Sequence, residues 1–182
     1  TLSVALAAGN SVVVKPSELT PISTLKLAQI AYEEGLPKGV LNVVTGYGAT
    51  TGSALAKHPN INKIDLTGGT ETGKIVASIA GGNLTPFSCE LGGKASLLFF
   101  EDCDLEEAVN GAVYSAFKAT GQTCVQGSRL LVQRSIYDNF VKKVIDKTKS
   151  ITLGDPLKFN TQMGPLISYN QLKRTEDYVQ IG

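Results

Sequence analysis

Short runs rich in β-branched residues alternate with longer helix-period segments along this 182-residue chain, and glycine or proline stands at almost every junction. Repeated strand, glycine turn and helix units predict right-handed βαβ crossovers and a parallel sheet, hence an α/β fold. Residues 10–14 predict a first strand, ended by Lys15-Pro16. Thr20-Pro21 supplies an N-cap and a first-turn proline for a helix through Ile22, Leu25, Ala28 and Tyr32, which Gly35 can end. Strands at 41–45 and 63–66 are then followed by a short helix at 50–57 and a helix at 70–80, and 84–91 is strand-like. A second unit opens after Gly92-Gly93, with strands at 95–100 and 130–133 and helices at 105–118 and 135–149; a last helical stretch starts at Tyr169. The boundary near Gly92 divides the chain into 1–92 and 93–182. Ligands of parallel sheets gather at the carboxyl ends of the strands. Lys15, Gly46, Gly48 and Gly68 fall there.

Composition excludes several classes of function. With 42% hydrophobic residues, 18% charged residues and a formal charge of +1, the chain lacks the basic surplus of a nucleic-acid binder. Its densest lysine cluster, at 141–147, is interleaved with apolar residues and reads as a solvated helix face. No apolar run approaches the roughly 20 residues of a membrane span, which predicts no membrane association. Three cysteines, Cys89, Cys103 and Cys124, lack the spacing of a zinc knot or redox pair, and His58 is the only histidine. Reduced thiols, a reducing compartment and no metal site are expected, with a cytoplasmic location and an organellar matrix left open. The chain begins at Thr1 and holds one methionine, Met163. A domain cut at both ends is the expectation, with apolar surface that demands partners.

Two glycine stretches look like phosphate loops. Gly68-Gly69-Thr70-Glu71-Thr72-Gly73-Lys74 has the spacing of a nucleoside-triphosphate loop, but Ile75 stands where a hydroxyl would hold magnesium. A glycine turn entering a helix survives, with free N–H groups that attract an anion. Gly46-Tyr47-Gly48-Ala49-Thr50-Thr51-Gly52 misses the dinucleotide fingerprint by one residue. Either stretch is equally served by a tight turn packed closely on a helix; together they predict a crevice that admits a dinucleotide in a nonstandard way.

Cys124 follows the polar, glycine-bearing stretch 120–123, where a thiol can be reached by substrate and can ionise. Cys89 and Cys103 better suit the role of small buried residues. Glu90 ends a strand-like segment beside a predicted cleft, as a general base requires, although a surface salt bridge with Lys94 would also account for it. His58, in Lys57-His58-Pro59, suits a helix C-terminal cap, which leaves a cysteine hydrolase with a poorly placed base.

Val14-Lys15-Pro16-Ser17-Glu18, the run 35–44, Leu66-Thr67-Gly68-Gly69-Thr70, Glu90-Leu91-Gly92-Gly93-Lys94 and Gly121-Gln122-Thr123-Cys124 together resemble the aldehyde dehydrogenase superfamily in content, order and spacing, over essentially the whole chain. The resemblance implies the latter part of a Rossmann-like NAD(P) domain, over 1–92, followed by the first part of an α/β catalytic domain. It implies Cys124 as nucleophile and Glu90 as base. Lys15 and Glu18 would hold the adenosine ribose, and Gly48, Gly52, Thr67, Gly68 and Gly69 would lie along the cofactor, with Leu91 bordering the nicotinamide. An aldehyde would be oxidised by a full-length homodimer or homotetramer with NAD, or with NADP, Glu18 tilting the choice towards NAD because a carboxylate repels a 2′-phosphate while a rotated side chain would tolerate either. Gly69 departs from the serine frequent in relatives. The oxyanion-stabilising asparagine and the Glu-x-Phe-Gly-Pro segment of the family have no counterpart in this stretch, so the fragment alone is expected to be inactive. The alternative is a non-catalytic structural or interaction module on the same fold; a third reading is an esterase that needs no cofactor.

Overall fold

The computed structural model describes residues 2–182 and divides into two compact units, Thr1–Leu91 and Gly92–Gly182. In the first, α1 (Leu2–Ala7) leads into β1 (Val12–Val14), α2 (Ile22–Glu33) and β2 (Leu41–Val43). A π-helical segment, Gly48–Gly52, then runs into α3 (Ser53–Lys57), followed by β3 (Ile64–Thr67), α4 (Thr70–Gly82) and β4 (Phe87–Glu90). β1 and β2 pair in parallel with Val12 opposite Leu41, and β3 and β4 pair in parallel with Thr67 opposite Glu90. The second unit repeats the plan with β5 (Ala95–Phe99), α5 (Leu105–Phe117) and β6 (Gly127–Val132), again parallel; α6 (Tyr137–Lys149) and α7 (Tyr169–Ile181) follow. Each pair is thus bridged by a helix, which gives the expected α/β class as three two-stranded βαβ units among the described residues.

Local chemistry explains the element ends. α2 stops because Gly35 takes φ +95°, a left-handed conformation. The Gly35 N–H then donates to the Tyr32 carbonyl (3.1 Å) and the Leu36 N–H to the Ala31 carbonyl (2.9 Å), which satisfies carbonyls the helix leaves free. α5 starts at Asp104, whose carboxylate accepts from the N–H groups of Glu106 and Glu107 at 3.0 and 3.1 Å. Its apolar residues Leu105, Ala108, Val109 and Ala112 recur at helical spacing and face one way. There they meet Phe140 of α6, which is fully buried, with Phe99, Val132 and Val144 packed around. The Phe99 and Phe140 rings lie 4.5 Å apart and tilted, an aromatic contact between β5 and α6.

Some expected boundaries moved. Thr20 does not cap α2: Pro21 occupies the cap position in helical geometry without a side-chain cap, and its carbonyl takes the first helical bond, from Leu25 N–H at 3.1 Å. α1 was not anticipated, because its six residues are too few to show a period. β6 begins three residues earlier than expected, at Gly127. Pairing with β5, not side-chain pattern, draws Gly127-Ser128-Arg129 into the strand.

Much apolar surface stays open. α2 buries none of its residues, and Ile22, Leu25, Leu27, Ile30 and Tyr32 are exposed on several of its faces. The accessible surface is 13022 Å². A chain of this length would expose only ~10,000 Å² even as two separate globules of half its mass. No helix among the described residues is long and apolar enough to cross a membrane.

Since the second unit is organised on Phe140, Phe140→Ala should destabilise it by ~3–5 kcal/mol. Exposed Phe100 (58%) replaced by serine should change stability by no more than ~0.5 kcal/mol. Urea unfolding measures both, and equal effects would show that Phe140 does not anchor the unit.

Candidate active site

In the first unit the expected cofactor residues line the carboxyl ends of the strands. Lys15 directly follows β1. Its ammonium donates to the carbonyls of Pro16 (2.6 Å) and Gly46 (3.2 Å) and lies 3.8 Å from the Glu18 carboxylate, so it ties the loop after β1 to the loop after β2. Gly46 takes φ +137°, and a Cβ there would stand 2.1 Å from Thr51 Oγ1, so only glycine fits. The π-helical turn that follows carries Gly48 and Gly52, and the Lys15 stem runs beside Gly52, 3.5 Å from where its Cβ would be. Among helical elements π turns are rare and concentrate at functional sites.

The β3–β4 pair gathers a second group. Thr67 is the last residue of β3, Gly68 and Gly69 lead into α4, and Gly69 holds the N-cap position with no side-chain cap. Open space surrounds the Cβ position of Gly69, leaving the N–H groups of the first turn approachable. Glu90 ends β4 opposite Thr67, its carbonyl accepting from Gly68 N–H at 3.0 Å. Its side chain is exposed. Leu91 packs over Gly73 in the first turn of α4, 3.0 Å from where a Cβ on Gly73 would lie. Cys89 is exposed, contrary to the buried role expected of it: the last two residues of β4 are left uncovered. Cys103 is partly buried, and no metal-binding cluster occurs among the described residues. His58 does sit at the C-cap of α3, where its Nδ1 accepts from Asn60 N–H at 3.2 Å.

Cys124 lies in the second unit, on the connection from α5 to β6. It is exposed and occupies the first central position of a turn closed by Gln126 N–H donating to Thr123 carbonyl at 3.3 Å. The approach to that turn is strained: Ala119, Thr120 and Gly121 take φ of 49°, 59° and 71°, a left-handed run that costs ~1–3 kcal/mol for each non-glycine residue. Several contacts hold it. Gln126 Nε2 donates to the Ala116 carbonyl near the end of α5, and Gly127 N–H donates to Ser115 Oγ at 3.0 Å. Gln122 Oε1 accepts from Ile167 N–H at 3.2 Å. A Cβ on Gly93 would sit 3.4 Å from the Cys124 carbonyl oxygen, so the backbone entering β5 runs against the cysteine. One extra residue, Ser128, then shifts the β5–β6 register, a bulge of the kind found beside active sites.

The sequence model of the aldehyde dehydrogenase family matches residues 1–182. The chain belongs to the aldehyde dehydrogenase family. It is 47% identical over 98% of its length to a betaine aldehyde dehydrogenase of Sinorhizobium fredii, and 45% identical over 98% to a hydroxyisobutyraldehyde dehydrogenase of Mycolicibacterium austroafricanum. Among solved structures it superposes with a TM-score of 0.92, at 40% identity over 98% of its length, on a betaine aldehyde dehydrogenase of Staphylococcus aureus in complex with NAD+. The chain spans about 36% of the Sinorhizobium relative, 35% of the Mycolicibacterium relative and 36% of the Staphylococcus chain.

The structure thus assembles Lys15, Glu18 and Gly52 at one end of the β1–β2 pair, and Thr67, Gly68, Glu90 and Leu91 at one end of the β3–β4 pair. Motif reasoning missed Ser115, Gln126 and Gly127. At Gly127 only glycine fits, since a Cβ would meet Leu97 at 2.6 Å and Ser115 Oγ at 2.7 Å. We expect Gly127→Ala to destabilise the second unit by ~1–3 kcal/mol through overpacking at the foot of β6. Thermal unfolding tests this, and an unchanged melting temperature would refute the close approach.

Proposed function

We propose that the full-length protein oxidises an aldehyde to a carboxylic acid with NAD, using Cys124 as nucleophile and Glu90 as general base. The observation that carries this reading is an exposed thiol at the head of a turn braced from several sides, in a chain of the aldehyde dehydrogenase family. The stretches 1–92 and 93–182 would serve as parts of the cofactor and catalytic domains, a division one residue from that between the two compact units.

The residues of the first unit fit a dinucleotide. Lys15 offers a donor and Glu18 an acceptor for ribose hydroxyls, and the uncapped first turn of α4, reached through Gly68-Gly69, offers backbone N–H groups and a positive helix end to a pyrophosphate. Gly48, Gly52 and Thr67 would border the same ligand, and Leu91 its nicotinamide. A carboxylate at position 18 favours a free 2′-hydroxyl over a 2′-phosphate, hence NAD over NADP. Bound there, NAD supplies the acceptor for the hydride that leaves the substrate.

The chain's own residues perform the remaining steps. The Cys124 thiolate adds to the aldehyde carbon, forming a C–S bond while the carbonyl oxygen takes the negative charge. Loss of hydride from that carbon leaves a thioester on Cys124. Glu90 then takes a proton from water; the hydroxide adds to the thioester carbon, the C–S bond breaks, and the acid departs as the thiolate is restored. Glu90 suits this task because its backbone is pinned to Gly68 while its carboxylate remains solvent-exposed. In sequence it stands three residues before Gly93, the residue that abuts Cys124.

Full-length protein mixed with NAD and a panel of aldehydes should form NADH, Cys124→Ala should abolish it, and Glu90→Gln should accumulate the thioester. Persistent NADH formation in Cys124→Ala would overturn the mechanism. Turnover of esters without NAD would instead support a hydrolase, and no turnover of any kind an interaction module.

A further inference from the structure

We infer that Gln126 is a positioning residue for Cys124, half of a two-point latch that fixes the nucleophile's turn to the last turn of α5. This rests on the assignment of Cys124 proposed above.

The last carbonyls of a helix lack partners within it. α5 ends at Phe117, and the chain does not leave it smoothly but through the left-handed residues Ala119, Thr120 and Gly121. Such a run persists only where surrounding contacts over-determine it. Here the last residue of the turn and the one after it reach back to two consecutive residues of the helix. The Gln126 carboxamide donates to the Ala116 carbonyl, and the Gly127 N–H donates to the Ser115 hydroxyl at 3.0 Å. Both contacts are partly buried, so water competes less for them than at the surface.

The latch spans the loop that carries the thiol. Gln126 closes the turn with its own N–H, which donates to Thr123, and braces it with its side chain, so a single residue sets both the shape of the turn and its place on α5. The space left at Gly121 suits this arrangement: a Cβ there would lie 3.1 Å from Gln126 Nε2 and 3.4 Å from the Ala116 carbonyl oxygen. In this reading Gln126 acts on the turn and not on the reacting atoms. Its effect passes through the position of the Cys124 sulfur, where a displacement of about 1 Å costs a large factor in rate.

The test replaces Gln126 by methionine in the full-length enzyme, which keeps the length of the side chain and removes the donor. Ser115→Ala removes the other half of the latch separately. For each variant, steady-state kinetics and amide hydrogen exchange are recorded together. We expect kcat to fall about tenfold with KM for NAD unchanged, and exchange to quicken in peptides covering 119–127 while peptides from β5 and α6 keep their protection. Unchanged exchange in the loop, or kcat within about twofold of the parent for both variants, would overturn the inference. Exchange raised across the whole second unit would also overturn it, because Gln126 would then serve general stability. A Cys124→Ala control separates the two levels: if that variant keeps its activity, the nucleophile assignment fails, and if it is inactive while both latch variants behave as the parent, only the latch fails.

Discussion

Two parallel strands cannot be closed by a hairpin, so the chain must travel back along the sheet before the second strand begins. In this chain α2, α4 and α5 make that journey, one for each pair. The loops that leave the strands therefore collect at the carboxyl ends, where the first unit places Lys15, Gly46, Gly68 and Glu90. The same constraint leaves the second kind of loop, from helix back to strand, at the opposite end of each pair. Cys124 belongs to that second kind. The proposed cofactor residues and the proposed nucleophile thus come from opposite types of connection.

A helix-to-strand loop has to reverse the chain within a few residues, and between Phe117 and Gly127 the reversal is made by a left-handed run. The strain falls just before Cys124, the proposed nucleophile. Polar contacts to Ser115, Ala116 and Ile167 offset it. A loop held this way has few alternative conformations, which is what a nucleophile with one productive geometry requires.

Legibility in the sequence followed the physical origin of each feature. α5 shows itself because Leu105, Ala108, Val109 and Ala112 must all reach Phe140, and that burial imposes a helical period. The end of α2 shows itself because Gly35 has a conformation few other residues adopt. Cys124 and Glu90 stood out by their motif neighbours. Nothing marked Gln126, because a carboxamide bonded to a carbonyl ten residues away leaves no periodic trace. Cys89 departs from the sequence expectation for a related reason: base rates favour a buried thiol, but exposure is set by what covers the strand, and β4 ends uncovered. The exposed faces of α2 follow the same logic, their apolar residues being intelligible only with a neighbour packed on them.

The proposed chemistry passes through one sulfur, that of Cys124, on a braced loop. Full-length protein turning over an aldehyde with NAD, quenched in acid within milliseconds and digested, tests it by peptide mass. An acyl group is expected on the peptide containing Cys124 and none on those containing Cys89 or Cys103. An acyl group on either of the other two cysteines, or on no cysteine during active turnover, would contradict it.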